Sequence, residues 1–302
     1  MVSIIICSRS KQLLADASLA VKNSIGVPYE IVGIDNSMGK HGICEAYNIG
    51  ARQARYGIVC FMHEDLRFHT SNWGQIVVDI LSDVTIGVLG VAGGTYQMKV
   101  PAGWWMAGPE YRRMQVLHSL PGSAPALSVA NPGQQALADV AVLDGLWLCS
   151  RKEVWHQHPF DEQGFPAFHF YDVDYCTEIF LANYRVCVTF NVMIEHFSNG
   201  TINDVWLVNA LNYQKKWTAH LPFGTALIPS GEVARLERIA LLDFANRLLG
   251  TRLPSAYVVA QLRRLLTYGV FDREILGMVK RFLKQRYFSK QEQPSSRSKK
   301  NK

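Results

Sequence analysis

Two hydrophobic periods alternate through the first third of the chain, and that alternation constrains the fold more than any other feature. Ser3 to Cys7 is an unbroken apolar, β-branched run, Leu13 to Asn23 repeats apolar residues at helical spacing, and Tyr29 to Ile34 is a second apolar run ending at Asp35. A strand covered on both faces reads as continuous apolar sequence, whereas the helix that covers it reads with a period near 3.6. The segment is therefore a β–α–β unit. Helical Glu45 to Arg55 then leads through Gly57 into a strand at Ile58 to Met62, and Ile86 to Ala92 supplies another buried strand, ended by Gly93-Gly94. Such a chain predicts an α/β fold with a largely parallel sheet and ligands at the carboxyl ends of its strands.

Further along the pattern changes twice. Thr95 to Ala138 is rich in Gly, Pro, Trp and Ala with little periodicity, which marks either a functional loop or lid or an element that periodicity does not reveal. Strand character resumes at Val140 to Cys149, interrupted by Asp144-Gly145, followed by a helix at Val173 to Ala182, a strand at Arg185 to Phe190 and a helix at Val205 to Trp217. After Pro229 only helical spacing remains, at Glu232 to Leu249, Ala256 to Tyr268 and Asp272 to Tyr287, with Gly250, Pro254 and Gly269 as breaks. From Gln291 onward the chain is polar and basic, a composition that does not fold alone. The expected organisation is an α/β domain over 1–228, a helical region over 229–290 and a disordered basic tail over 291–302.

The formal charge of +6 would suggest nucleic acid if it were spread over the chain. It is not: Lys280 to Lys302 holds nine Lys or Arg and one acid, so the tail carries +8 and residues 1–279 carry −2. A nucleic-acid partner is therefore not expected. No apolar run approaches the roughly 20 residues that span a bilayer, and Met1 to Cys7 lacks the basic start and length of a signal peptide, so the cytoplasm is the expected compartment. The six cysteines stand singly in apolar runs, without zinc or redox spacing, and read as reduced core residues.

Three acidic segments carry the chemistry. Cys60-Phe61-Met62-His63-Glu64-Asp65 is a strand that runs into acids and stops, and it is joined by Tyr171-Asp172-Val173-Asp174 and Glu195-His196-Phe197. A hard cation bridging two phosphates needs a carboxylate at such a strand end. The first strand turns through Ser8-Arg9-Ser10-Lys11 without a glycine, so phosphates are not gripped there as in a dinucleotide fold. Side chains at the ends of the first two strands remain, with Ser8, Arg9 and Asp35 as donor-binding candidates; taken alone, Arg9 reads first as a solvated loop residue and Asp35 as turn chemistry.

Taken in order, Ser3 to Arg9, Tyr29 to Ser37, Ala46-Tyr47-Asn48-Ile49-Gly50-Ala51 with Gly57, and Phe61 to Asp65 resemble the nucleotide-binding half of the GT-A glycosyltransferases, specifically their large inverting family two. The resemblance implies a GT-A fold with a C-terminal helical appendage. It also implies a metal ligand at Asp65 in the Asp-x-Asp position. His63 replaces the first Asp, as in a glycosyltransferase-like subgroup with His-x-Asp, and is expected near the donor ribose. Val142-Leu143-Asp144-Gly145 is similar to the strand lining the donor sugar, which implies donor contacts for Asp144 and Gly145. Phe170 to Asp174 is similar to the Glu-Asp motif with Tyr171 in place of Glu, which makes Asp172 the general base and leaves Asp174 to cap the helix. The resemblance makes His196 the second metal ligand, and imidazole suits Mn²⁺ better than Mg²⁺, the two cations expected.

The implied activity is metal-dependent inverting transfer of a sugar from a UDP-, GDP- or TDP-sugar to a glycan or lipid-linked hydroxyl, in polysaccharide or lipopolysaccharide synthesis. Trp104, Trp105 and Arg112 are candidates for the acceptor wall, since aromatic faces stack on sugars and Arg holds phosphates, and the same segment reads equally as a hydrophobic plug beneath a long loop. Two alternatives stand beside this reading: a nucleotidyltransferase, which should show a Gly-rich basic turn after the first strand, and a non-catalytic nucleotide or sugar binder on a degenerate scaffold. The last helix places Ile275, Leu276, Val279, Phe282 and Leu283 on one apolar face, expected to be covered by the catalytic domain or a second subunit of a homo-oligomer. Its basic edge and the tail suit peripheral contact with an anionic membrane.

Overall fold

The structure, a computed structural model, describes residues 1–198, 200–225, 227–269 and 272–288. The tail expected to be disordered at 291–302 lies outside the described residues. Two compact units are present, Met1–Leu236 and Glu237–Lys302, and the division falls inside the helix Ser230–Leu249.

In chain order the first unit begins with β1 (Val2–Ser8), α1 (Lys11–Ser24), β2 (Tyr29–Asp35), α2 (Ile43–Gln53), β3 (Ile58–Met62), β4 (Leu66–Phe68), α3 (Trp73–Leu81), β5 (Ile86–Gly90), β6 (Ala92–Gly94) and β7 (Tyr96–Gln97). Two short 3-10 turns, Trp104–Ala107 and Pro109–Tyr111, lead to β8 (Arg112–His118), β9 (Ala126–Ala130), β10 (Leu137–Val140), β11 (Val142–Leu143), β12 (Trp147–Arg151) and α4 (Lys152–Gln157). Then follow α5 (Tyr171–Leu181), β13 (Arg185–Thr189), β14 (Ile194–His196), α6 (Asp204–Trp217) and β15 (Phe223–Gly224). Helix α7 (Ser230–Leu249) crosses the division, and α8 (Ser255–Leu265) and α9 (Arg273–Phe288) complete the second unit.

The main sheet has the order β10-β13-β5-β12-β3-β1-β2. Strand β1 lies parallel between β2 and β3, in a register that sets Ser8 beside Asp35 and Ile6 beside Met62. The carboxyl ends of these three strands therefore share one edge. The sheet is mixed rather than largely parallel, because β12 runs antiparallel to both β3 and β5, and β10 antiparallel to β13. Apolar content reports burial and carries no strand direction, which is why the sequence misjudged this half. The single strand expected over Val140 to Cys149 is three: β10 and β12 belong to the main sheet, while β11 pairs with β6 in a second sheet.

That second sheet has the order β11-β6-β8-β14-β4, with β9 paired to β8. The irregular segment expected over Thr95 to Ala138 thus contains several strands. Only Val116 of β8 is buried, so Arg112-Arg113-Met114-Gln115-Val116-Leu117-His118 shows no alternation by which to read it.

The Ala46-x-Asn48-x-Gly50 pattern builds the scaffold. A Cβ on Gly50 would lie 2.3 Å from Ile5 Cγ2, so only glycine lets α2 lie this close on β1. Buried Asn48 donates through Nδ2 to Phe160 O (2.9 Å) and Glu162 Oε1 (2.8 Å), and its Oδ1 accepts from Trp155 Nε1 (2.9 Å) and the Phe160 N–H (3.1 Å). Replacing Asn48 by Ala orphans two buried donors, and is expected to destabilise the fold by roughly 2–4 kcal/mol. Urea denaturation checks this as a lower midpoint at unchanged m-value.

In the second unit α7, α8 and α9 contribute buried Leu241, Phe244, Val258, Leu262, Leu265, Ile275 and Met278. Arg238 pairs with Asp272 and with Glu274, tying the start of α9 to α7. Among the described residues no helix is long and apolar enough to cross a membrane.

Candidate active site

At the carboxyl edge of β3 the chain leaves the sheet, with the His63 N–H donating to Leu146 O (3.0 Å). Strand β4 then pairs antiparallel with β14, placing Leu66 opposite His196. That pairing, together with the Phe197 N–H donating to Asp65 O (3.2 Å), sets residues some 130 positions apart side by side. His63, Asp65 and His196 form a cluster whose ligand atoms lie within 4.8 Å of one another. Within it His196 Nε2 is 3.6 Å from Asp65 Oδ1 and 3.2 Å from Ser198 Oγ.

The electrostatics of the cluster suit a cation. Burial works to raise the Asp65 pKa, but hydrogen bonding and charge from His196, with Ser198 and His63, outweigh it and hold the carboxyl well below its usual range. For His63, burial and the neighbouring His196 charge lower the pKa, against Asp65, Asp144 and Glu64, and so favour the neutral ring. One firm carboxylate and two imidazoles, one held neutral, make a mixed oxygen and nitrogen donor set that could hold a divalent cation. His63, expected near the donor ribose, lies beside Asp65 and His196 in a cluster that could hold a metal ion.

A hydrogen-bond chain connects this cluster to Asp172. The Tyr171 hydroxyl donates to Gly145 O (3.0 Å) and lies 2.8 Å from His63 Nε2. With the hydroxyl proton directed at Gly145, His63 Nε2 must be the protonated nitrogen, which leaves Nδ1 bare. The same glycine donates its N–H to Asp172 Oδ2 (2.8 Å). A Cβ on Gly145 would meet Tyr171 Oη at 2.2 Å, so the turn requires glycine. Burial, and next the charge of Asp144, push the Asp172 carboxyl up to about 7.

Asp172 is aimed by an unusual entry into α5. His169 (φ 80°) and Phe170 (φ 63°) are both left-handed, a strain of the kind that clusters at functional sites. Asn209 Nδ2 holds the segment by donating to Phe168 O and His169 O, each at 3.0 Å. Asp174 does not cap α5. Its buried carboxylate accepts from Trp217 Nε1 (2.7 Å) and Lys216 Nζ (2.9 Å), joining α5 to α6, and Phe170 occupies the cap position without a side-chain bond.

Asp144 is fixed from two sides, by Trp104 Nε1 on Oδ2 (3.1 Å) and by the Leu146 N–H on Oδ1 (3.0 Å). Trp104 is buried and packs edge-on to half-buried Trp105, which also meets Trp206. Arg112 donates through Nε to Trp105 O (2.8 Å) and braces that loop. Asp35 is exposed and accepts from the Ser37 N–H (2.9 Å), while Arg9 is exposed beside it. Glu64 stands apart from the His63, Asp65 and His196 cluster. The strand ends at Met62, and the Glu64 carboxylate accepts from Ser8 Oγ and the N–H groups of Arg9 (3.2 Å) and Ser10 (3.4 Å). His118 went unread in the sequence. It sits opposite His196 in the β8–β14 register, with ring centroids 6.3 Å apart, and its buried Nδ1 has no partner among the described residues. No local motif marks it, because the neighbour that gives it meaning is on another strand.

Residues 3–220 match the model of a glycosyltransferase-like family. No curated protein matches the chain. Among solved structures, GalNAc-T7 with UDP, GalNAc and Mn²⁺ aligns with a TM-score of 0.53 at 11% identity, covering 97% of this chain and 58% of that one. The chain therefore spans a little over half the length of that protein, and the likeness is one of fold. The mannosyltransferase PcManGT from Pyrobaculum calidifontis in complex with GDP-Man and Mn²⁺ aligns with a TM-score of 0.44 at 12% identity, over 96% of this chain and 87% of that one. S. aureus TarS 1-349 in complex with UDP-GlcNAc aligns with a TM-score of 0.44 at 11% identity, over 90% and 73%.

Proposed function

The chain belongs to the glycosyltransferase-like family, and from that premise we propose that it is an inverting transferase moving a sugar from a nucleotide-sugar donor to a hydroxyl of a glycan or lipid-linked acceptor. The observation that carries the reading is the chain His63–Tyr171–Gly145–Asp172, which ties a metal-ligating imidazole and a buried carboxyl to one peptide. Inverting transfer needs a proton acceptor held at a set distance from the point where the diphosphate departs, and a shared anchor provides that. The donor class and metal draw support from GalNAc-T7, whose structure holds UDP, GalNAc and Mn²⁺.

Asp172 takes the proton of the attacking hydroxyl at its carboxylate. Asp144, immobilised by Trp104 and Leu146, accepts hydrogen bonds from the donor sugar. Ser8, Arg9 and Asp35 line the carboxyl edge of β1 and β2, where the nucleoside lies against them. A divalent cation held by His63, Asp65 and His196 would neutralise charge on the leaving nucleoside diphosphate. Trp105, with Trp104 behind it, forms the acceptor wall, and Arg112 keeps that wall in place.

The test is release of nucleoside diphosphate from UDP-, GDP- and TDP-sugars with Mn²⁺ and a glycan or lipid-linked acceptor, with anomeric configuration followed by NMR. An inverted product supports the proposal; a retained anomer, or tight donor binding without turnover, overturns it. With the Asp172 carboxyl at about 7, the rate must rise with pH as the base loses its proton. We expect kcat/KM to climb through pH 7 and level off above it. Asp144→Asn removes the neighbouring like charge and shifts that midpoint to lower pH, whatever its effect on the plateau.

A further inference from the structure

The sequence groups Ile275, Leu276, Val279, Phe282 and Leu283 on one apolar face of α9, and the structure divides that face. Ile275 is fully buried, together with Met278, while Leu276 and Leu283 are 47% and 45% exposed. On a helix turning about 100° per residue, Leu276 and Leu283 form one outward stripe, and Lys280, Arg273 and Lys284 lie immediately beside it. All three cations are exposed, and among the described residues none pairs with a carboxylate. Arg281 instead reaches Asn246 Oδ1 at 2.7 Å, on the flank away from the leucines. Leucines seven positions apart are thus held in water beside unneutralised charge. The residues from Lys280 onward carry a net +8 in sequence.

We propose that this outward face of α9 docks on an anionic lipid surface, the leucines entering the headgroup boundary while the cations and the basic tail meet lipid phosphates and carboxylates. A helix lies in a bilayer interface when it presents a narrow apolar stripe bordered by Lys and Arg, and this face has that form. An antiparallel two-fold contact with a second copy would bring the cationic flanks of both helices to the same side, where they repel. Nucleic acid would engage the cations and leave the leucines in water. The surface lies outside the candidate active site, and the inference stands or falls independently of the transferase reading.

The full chain is mixed with phosphatidylcholine vesicles, with and without phosphatidylserine, and floated on a density gradient. Wild type is expected to float with the serine-containing vesicles only, and to be released by salt. Lys280→Gln and Lys284→Gln should each weaken binding about fivefold. The pair Leu276→Ser/Leu283→Ser should weaken it about tenfold or more at unchanged charge. Both leucines are exposed, and far-UV circular dichroism checks that the pair variant stays folded. Wild type that fails to float, floats equally with neutral vesicles, or floats as well when both leucines are serine overturns the proposal. So does a change of solution mass on the leucine substitutions, which would assign the face to a protein contact.

Discussion

Asp172→Asn is expected to lower the rate of sugar transfer by about 10³-fold or more, while nucleotide affinity stays within about twofold of wild type. Asn keeps the side-chain oxygen that accepts from the Gly145 N–H, so the turn and the Tyr171–His63 contact persist and only proton acceptance is lost. Stability should move the opposite way. The folded carboxyl titrates at about 7 against an ordinary value of 3.8, so it prefers its proton when folded. That preference favours the native state below about pH 4 and is lost as pH rises through 7. At pH 8 the charged, buried Asp172 is therefore a burden that Asn relieves, by up to ~4 kcal/mol, and at pH 4 the two proteins should melt alike. A variant that is inactive through misfolding cannot be more stable than wild type at pH 8. Turnover comparable to wild type would remove Asp172 as the base.

Asp65→Asn should abolish Mn²⁺ binding, by about 100-fold or more, with turnover lost in proportion. It removes the cluster's one carboxylate and leaves two imidazoles, of which His196 loses its anionic partner. Tyr171→Phe supplies the graded companion. It deletes the hydroxyl that orients His63 and is expected to weaken Mn²⁺ about tenfold with the fold intact, as for other groups that position a ligand from behind. Electron paramagnetic resonance of free Mn²⁺ reads both directly, without reference to activity. Unchanged affinity in Asp65→Asn would take the carboxylate out of the site.

Much of the first part of the chain could be read from sequence because its signals are local. A period of about 3.6 residues beside unbroken β-branched runs is enough to recognise β1, α1, β2, α2 and β3, and helix α2 carries its scaffold pattern within Ala46 to Gly50. The order Asp65, Asp144, Asp172, His196 is likewise written in the chain, and the structure brings them close enough for Asp144 to act on both Asp172 and His196 and for His196 to pair with Asp65. Residues whose meaning depends on a distant partner were not readable. Tyr171 looked like a loss from a Glu-Asp motif, and only its contact with His63, 108 positions earlier, gives it an orienting role. Asp174 resembled a cap until α6 supplied Trp217 and Lys216.

What the sequence determined by itself was the α/β class and the order of the early strands and helices, since hydrophobic period and short motifs act over a few residues. The tertiary structure alone decided the antiparallel insertion of β12, the second sheet, the joining of His63 to Asp65 and His196, and which leucines of α9 face outward. Each of these depends on strand pairing or packing between segments far apart in the chain. The free energy of such contacts belongs to the pair, so neither segment carries a readable trace of it alone.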